Sequence, residues 1–106
     1  MIERRDVFQA IADPTRRSIL LKLANGPLNI AQLAEDFAIT RQAISKHVRI
    51  LKECEMIKVV QSGREQLCEA QLGKLEEVSD WISASKQVWN QRFEKLDQFL
   101  QQQKNS

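Results

Sequence analysis

The chain is poor in the residues that build reactive centres. Among 106 residues it has one histidine, no tyrosine, two cysteines and three glycines, the glycines isolated from one another. A phosphate-cradling loop needs clustered glycines, and no GxSxG, HExxH or Ser-His-acid arrangement occurs either. With His47 as the lone imidazole, the acid–base repertoire is thin. Glu76-Glu77 falls on the outer side of a helical segment, where solvated surface is the ordinary reading. These absences exclude an enzyme. A zinc site wants three or four converging Cys, His or carboxylate ligands. Cys54, Cys68 and His47 have no close CxxC spacing, so neither metal nor cofactor is expected. The two thiols read as small buried hydrophobes in a reducing cytoplasm, with a redox-switchable pair as the alternative. No apolar run approaches the ~20 residues that span a bilayer. The opening MIERRDVFQAIADP is charged and amphipathic, unlike a signal peptide. A soluble cytoplasmic protein without a membrane partner is expected.

What is present fits one domain, 1–106, with a modest core: 42% of residues are apolar and 28% charged. Net charge is only +2, but it is unevenly spread. Residues 1–40 carry five Lys/Arg and five Asp/Glu, and residues 65–106 carry five against seven. Residues 41–64 hold Arg41, Lys46, Arg49, Lys52, Lys58 and Arg64 against Glu53 and Glu55 alone. A binder of nucleic acid needs such a concentration on one element.

Periodicity predicts four helices in the first half of the chain. Glu3 to Ala12 shows an apolar stripe of Val7, Phe8 and Ile11. Asp13-Pro14 pairs an N-cap residue with a first-position proline, Ile19, Leu20 and Leu23 form the next stripe, and Asn25-Gly26-Pro27 stops it. Asn29 can cap a third helix with Ile30, Leu33, Ala34 and Phe37 inward, and Thr40 can cap a fourth after the break Ala38-Ile39-Thr40. On that fourth helix Ile44, His47, Val48 and Leu51 share one face. Arg41, Gln42, Ser45, Lys46 and Arg49 share the other.

Two short helices with a tight joint, the second presenting Arg, Gln, Ser and Lys, are the pattern of helix-turn-helix DNA recognition, about residues 30–53. His47, at the edge of the inward stripe, reads as a half-buried histidine hydrogen-bonded within the domain, or alternatively as a phosphate contact. After this helix the period changes: Met56–Val60 and Glu65–Glu69 flank the turn Gln61-Ser62-Gly63-Arg64. A hairpin over 56–69 makes the whole a winged helix, with Arg64 at the tip as a phosphate or minor-groove contact or a solvated turn residue. The candidate DNA-binding set is therefore Thr40, Arg41, Gln42, Ser45, Lys46, Arg49 and Arg64. Residues 72–102 return to helical spacing and hold both Trp and two of the four Phe. At 1.5 Å per residue this helix reaches about 45 Å, so its apolar stripe needs a partner, most simply a second copy. The polar QQQKNS end is expected to fray. The fold class is mainly α with a small β-hairpin, in the order α-α-α-α-β-β-α, with a long C-terminal dimerisation helix.

The run IADPTRRSILLKLANGPLNIAQLAEDFAITRQAISKHVRILKECEMIKVVQSGREQLCEA closely resembles the arsenical-resistance repressor (ArsR) family of bacterial winged-helix transcription factors, over about residues 5–82. The resemblance rests on DPTRRSIL, AISKHVRIL and the SGRE turn, in order and at the right separations. It implies a dimeric repressor on a palindromic operator, pairing through its first and last helices. Val7 and Phe8 with Trp81, Ile82, Trp89, Phe93 and Leu96 are the corresponding interface residues. It also implies that Arg41, Gln42, Ser45, Lys46 and Arg49 face the major groove. Many members sense metals through cysteines in the third helix or Asp/His ligands in the last. Here the third helix has no Cys and the last has no His. The family tends to have Gly where Glu55 stands, which puts the local helix-end geometry in question.

The function expected is a homodimeric, sequence-specific repressor of double-stranded DNA, with its own promoter among the candidate operators. Two alternatives are a sensor of a small organic effector near Trp81 or Trp89 and a protein-interaction module with only weak DNA binding.

Overall fold

A computed structural model describes residues 5–104. The helices are α1 (Val7–Ile11), α2 (Pro14–Leu23), α3 (Ile30–Ala34) and α4 (Arg41–Glu53). Strands β1 (Ile57–Ser62) and β2 (Glu65–Ala70) follow, then a 3₁₀ turn at Leu72–Lys74 and α5 (Leu75–Lys104). The chain divides into two compact units between Leu75 and Glu76. No helix among the described residues is long and apolar enough to cross a membrane.

Polar caps set the helix starts. Asp6 Oδ1 accepts from the Gln9 N–H at 2.9 Å, so α1 opens at Val7; Glu3, where the helix was expected to begin, lies outside the described residues. Asp13 caps α2 through the Arg16 N–H at 3.0 Å, with Pro14 at the first helical position as predicted. Asn29 and Gln32 form a reciprocal capping box on α3, each side chain accepting from the other's backbone N–H.

The third helix is shorter than predicted, ending at Ala34 rather than Phe37. Continuation would pair the N–H groups of residues 36 and 37 with the carbonyls of Gln32 and Leu33. The Lys22 ammonium donates to both carbonyls instead, at 2.9 and 3.5 Å, and the Phe37 N–H turns to Ala34. Lys22 also pairs with Asp36 at 2.6 Å and lies 6.0 Å from the Phe37 ring, so one side chain of α2 closes α3 and starts the turn.

The core of the first unit is built from the predicted stripes. Ile19, Leu20 and Leu23 of α2 and Leu33 of α3 are buried with Ile44, Val48 and Leu51 of α4. Val7, placed among the dimer contacts from sequence, is instead inside this core, because α1 turns Val7 and Ala10 inward. Phe8 is half-buried. Arg16 is the one buried charged side chain among the described residues, 7% exposed. Its guanidinium donates to the Ala10 carbonyl at 3.0 Å and to the Gln9 carbonyl at 2.8 Å, closing the end of α1.

The end of α4 resolves the question raised by Glu55. The Met56 N–H donates to the Leu51 carbonyl at 2.9 Å and the Glu55 N–H to that of Lys52 at 3.0 Å. Glu55 itself takes the left-handed conformation, φ 62°. This is a Schellman cap with glutamate at the position that usually holds glycine. The Glu55 carboxylate is tied to Lys74, which holds it below the usual glutamate range.

The hairpin is antiparallel, its register running from Ile57↔Ala70 to Ser62↔Glu65. That leaves Gly63-Arg64 as a two-residue loop, tighter than predicted. Gly63 has φ +61° at the first central position, where a type II′ turn demands a positive angle. Met56, read from sequence as strand, completes the α4 cap and is fully buried. A one-residue bridge went unpredicted: Leu28 and Cys68 exchange both backbone hydrogen bonds, at 3.1 and 2.8 Å. A single extended residue between Pro27 and Asn29 has no period to betray it.

The second unit is α5 alone, and none of its residues is buried. It continues as helix through the glutamines to Lys104, beyond the expected fraying point. Trp81 and Phe93 are each 61% exposed, and Ile82, Trp89 and Leu96 share that exposed character. The Trp89 and Phe93 rings meet one turn apart at 6.1 Å, and Arg92 lies 5.7 Å from the Trp89 ring.

Candidate nucleic-acid interface

α4 is capped by Thr40, whose Oγ1 accepts from the Ala43 N–H at 3.1 Å; the hydroxyl hydrogen stays free to donate. The helix is strongly two-faced. With Ile44, Val48 and Leu51 anchored in the core, Arg41, Gln42, Ser45, Lys46 and Arg49 are all exposed and line one shallow groove along the helix. Those five are the outward residues predicted from the 3.6-residue period. Arg64 is exposed at the hairpin tip.

Pairing elsewhere sharpens the charge of this face. Of the two acids in the basic segment 41–64, Glu53 is bound by Arg5 at 2.6 Å and Glu55 by Lys74. Lys58 is held 3.7 Å from Glu69 across the hairpin. Arg41, Lys46, Arg49, Lys52 and Arg64 form no ion pair among the described residues. Among the described residues five cations are therefore left without an acidic partner, and the segment's acids are spent on residues outside it. Lys52 was not among the predicted site residues. It lies three residues beyond Arg49 and seven beyond Ser45, so extending the same period past Leu51 would have found it.

His47 is half-buried, as expected, but the expected hydrogen bond is absent. Its Nδ1 is buried without a hydrogen-bond partner among the described residues, 3.9 Å from Oδ2 of Asp13, the residue that caps α2. Burial pushes the Asp13 pKa up. The Arg16 N–H and the nearby His47 and Arg16 charges outweigh it and hold the carboxyl below its ordinary value. Cys54 and Cys68 are free, buried thiols, and burial pushes the pKa of each up. Among the described residues no three His, Cys, Asp or Glu side chains gather where they could hold a metal ion.

A helix-turn-helix followed by a hairpin defines the winged-helix class, and here the second helix carries an exposed cationic face. Residues 13–59 match the profile of the family described as bacterial regulatory protein, arsR family. The chain is 44% identical over 50 residues to the HTH-type transcriptional regulator Rv2034 of Mycobacterium tuberculosis, covering 47% of each chain. It is 44% identical over 59 residues to the transcriptional repressor SdpR of Bacillus subtilis, covering 56% of this chain and 66% of that one. It thus spans about half to two thirds of the length of these curated relatives. In structure it is similar to an ArsR-like transcriptional regulator from Rhodococcus sp. RHA1. That match has a TM-score of 0.70 and 30% identity, covering 88% of both chains. The chain belongs to the ArsR family of transcriptional regulators, whose fold and relatives are not those of enzymes.

Proposed function

We propose that this protein is a homodimeric repressor that binds a palindromic operator in duplex DNA, its own promoter included. The observation that carries this reading is the exposed face of α4, with five cations in and around it that have no acidic partner among the described residues. α4 enters the major groove, and a dimer sets two such helices ~34 Å apart on one side of the duplex. Lys46, Arg49 and Arg64 neutralise phosphates. Gln42 suits adenine and Arg41 guanine, with Ser45 adaptable to either edge. Thr40 holds the first turn of α4 in place and offers its hydroxyl to the backbone. Trp81, Ile82, Trp89, Phe93 and Leu96 of α5 supply the apolar surface for pairing, with Phe8 of α1; Val7 stays in the core. The name of SdpR, a transcriptional repressor, supports repression as the outcome.

The test is fluorescence anisotropy with the DNA upstream of the gene, scrambled duplex as competitor, at two salt concentrations. Binding that survives the competitor and falls steeply with salt supports the proposal. Equal weak binding to both duplexes, repeated with DNA selected from a random library, sinks it in favour of a protein-interaction role. Sedimentation of the free protein checks the dimer: a monomer at tens of micromolar contradicts it.

A further inference from the structure

One apolar surface of the first unit takes no part in the core or in the α4 face. In α2, Ile19, Leu20 and Leu23 form the buried stripe, yet Leu21 between them is 72% exposed. Leu21 stands with Arg17 and Ala24 at the spacing i, i+4 and i+7, so the three share one flank of the helix. That flank borders a cleft of about 230 Å³, closed by Ile11 at the end of α1 and by Leu72 and Leu75 at the 3₁₀ turn. Apart from Arg17, every side chain that lines the cleft is apolar. One N–H of the Arg17 guanidinium donates to the Ile11 carbonyl at 2.8 Å, which fixes the group beside the cleft. A guanidinium has about five N–H donors. Those left over on Arg17 have no partner among the described residues, and no carboxylate there pairs with it. Asp13, one turn earlier on α2, is occupied as the helix cap, and Lys74 of the 3₁₀ turn is spent on Glu55.

We propose that this cleft binds a small amphipathic carboxylate, its hydrocarbon against Leu21, Leu72 and Leu75 and its carboxylate on the Arg17 guanidinium. Charge decides the chemical class. Walls of leucine and isoleucine alone would accept any hydrocarbon, whereas a guanidinium fixed at the edge with spare donors selects a planar anion. Volume decides the size. Pockets for drug-sized ligands run to about 300–1,000 Å³, so a cleft of about 230 Å³ suits a short chain or a single ring. The site is independent of the DNA-binding reading, since none of its residues belongs to the exposed face of α4.

The probe is octanoate, titrated into the full chain and followed by leucine methyl chemical shifts, with octanol as the neutral comparison. Octanoate should saturate a single site per chain, shift Leu21, Leu72 and Leu75, and bind more tightly than octanol. It should also raise the thermal midpoint, as a ligand of the folded state must. Arg17→Met keeps the aliphatic stem and removes the charge. It is expected to weaken octanoate about three- to tenfold and leave octanol unchanged, bringing the two ligands level. Arg17→Lys should retain part of the preference for the carboxylate. Arg17 and Leu21 are exposed, and circular dichroism checks that the variants keep their helices. Equal binding of octanoate and octanol to wild type, shifts that lie outside the cleft, or a titration that never saturates overturns the proposal. Leu21→Asn tests the rival occupant, a second copy of the chain. Its sedimentation should match wild type; a loss of self-association would assign the cleft to the partner copy and overturn the proposal as well.

Discussion

Arg16 offers the sharpest test of how the first unit is held together. A helix of five residues, such as α1, leaves its last carbonyls without intrahelical partners. The Arg16 guanidinium serves the carbonyl of Ala10 and that of Gln9, which also accepts from the Ala12 N–H at 3.3 Å, from a site only 7% exposed, through bonds of 3.0 and 2.8 Å. Hydrogen bonds to a charged group contribute about 1.5–3 kcal/mol each. Two bonds from one guanidinium are not independent, and burial of the charge offsets part of the gain. Arg16→Met keeps the aliphatic stem and removes both bonds, so the expected loss is about 2–4 kcal/mol, or roughly 10–20 °C in thermal midpoint. Lys has a single ammonium in place of a planar fork, so Arg16→Lys should fall between the two. Arg17 is an internal control, since it donates to the Ile11 carbonyl at 2.8 Å over the same sequence separation but in an exposed setting. Arg17→Met should cost under about 1 kcal/mol. Urea unfolding at one fixed protein concentration reads all three, because dimerisation would make apparent stability concentration-dependent. Equal effects of Arg16→Met and Arg17→Met would refute the claim that burial of the fork, rather than its presence, anchors α1.

Asp13 and Glu55 both have folded-state pKa values below their ordinary ones, so each stabilises the fold above its unfolded pKa. That contribution is lost as pH falls through the folded values, giving an acid limb in the urea midpoint below about pH 4. Asp13→Asn keeps a good N-cap and should flatten that limb while changing stability near pH 7 little; an unchanged limb contradicts the role given to the carboxylate. Glu55→Gly relieves the left-handed strain at the cost of an exposed ion pair, and calorimetry should show a midpoint about 3–6 °C higher. A lower midpoint would mean that the Lys74 tie outweighs the backbone. Leu51→Ala, at a fully buried position in the centre of α4, should cost about 2–5 kcal/mol and weaken DNA binding through loss of the folded population. Gln42→Ala should change base preference at one position of each half-site, whereas Lys46→Ala should weaken all duplexes alike and flatten the salt slope. A uniform loss in the first case or a selective loss in the second would reverse the roles given to them.

Much of the site was legible in the chain because it is local. The 3.6-residue period that buries Ile44, Val48 and Leu51 necessarily turns Arg41, Gln42, Ser45, Lys46 and Arg49 outward, and Thr40 is recognisable as a cap from its type and place. Asp13-Pro14 and Gly63 act through the backbone of their own neighbours, so they too were readable. Where the reading failed, a distant residue intervened. The Lys22 ammonium ended α3 three residues early by taking its carbonyls. Val7 went to the core because α1 is docked by Arg16, six residues and more away. The His47 Nδ1 stops 3.9 Å from Asp13 on another helix, beyond hydrogen-bond reach, a spacing that only the packing of α4 against the start of α2 sets.

The order of elements, the two-faced fourth helix and the apolar stripe of α5 thus follow from short-range periodicity and capping, which depend on neighbours a few residues apart. Which cations remain free to meet a polyanion was decided only by the folded chain. The pairings Glu53–Arg5, Glu55–Lys74 and Lys58–Glu69 join positions 11 to 48 residues apart. Coulomb attraction acts on distance in space, and a linear count of charges has no access to that distance.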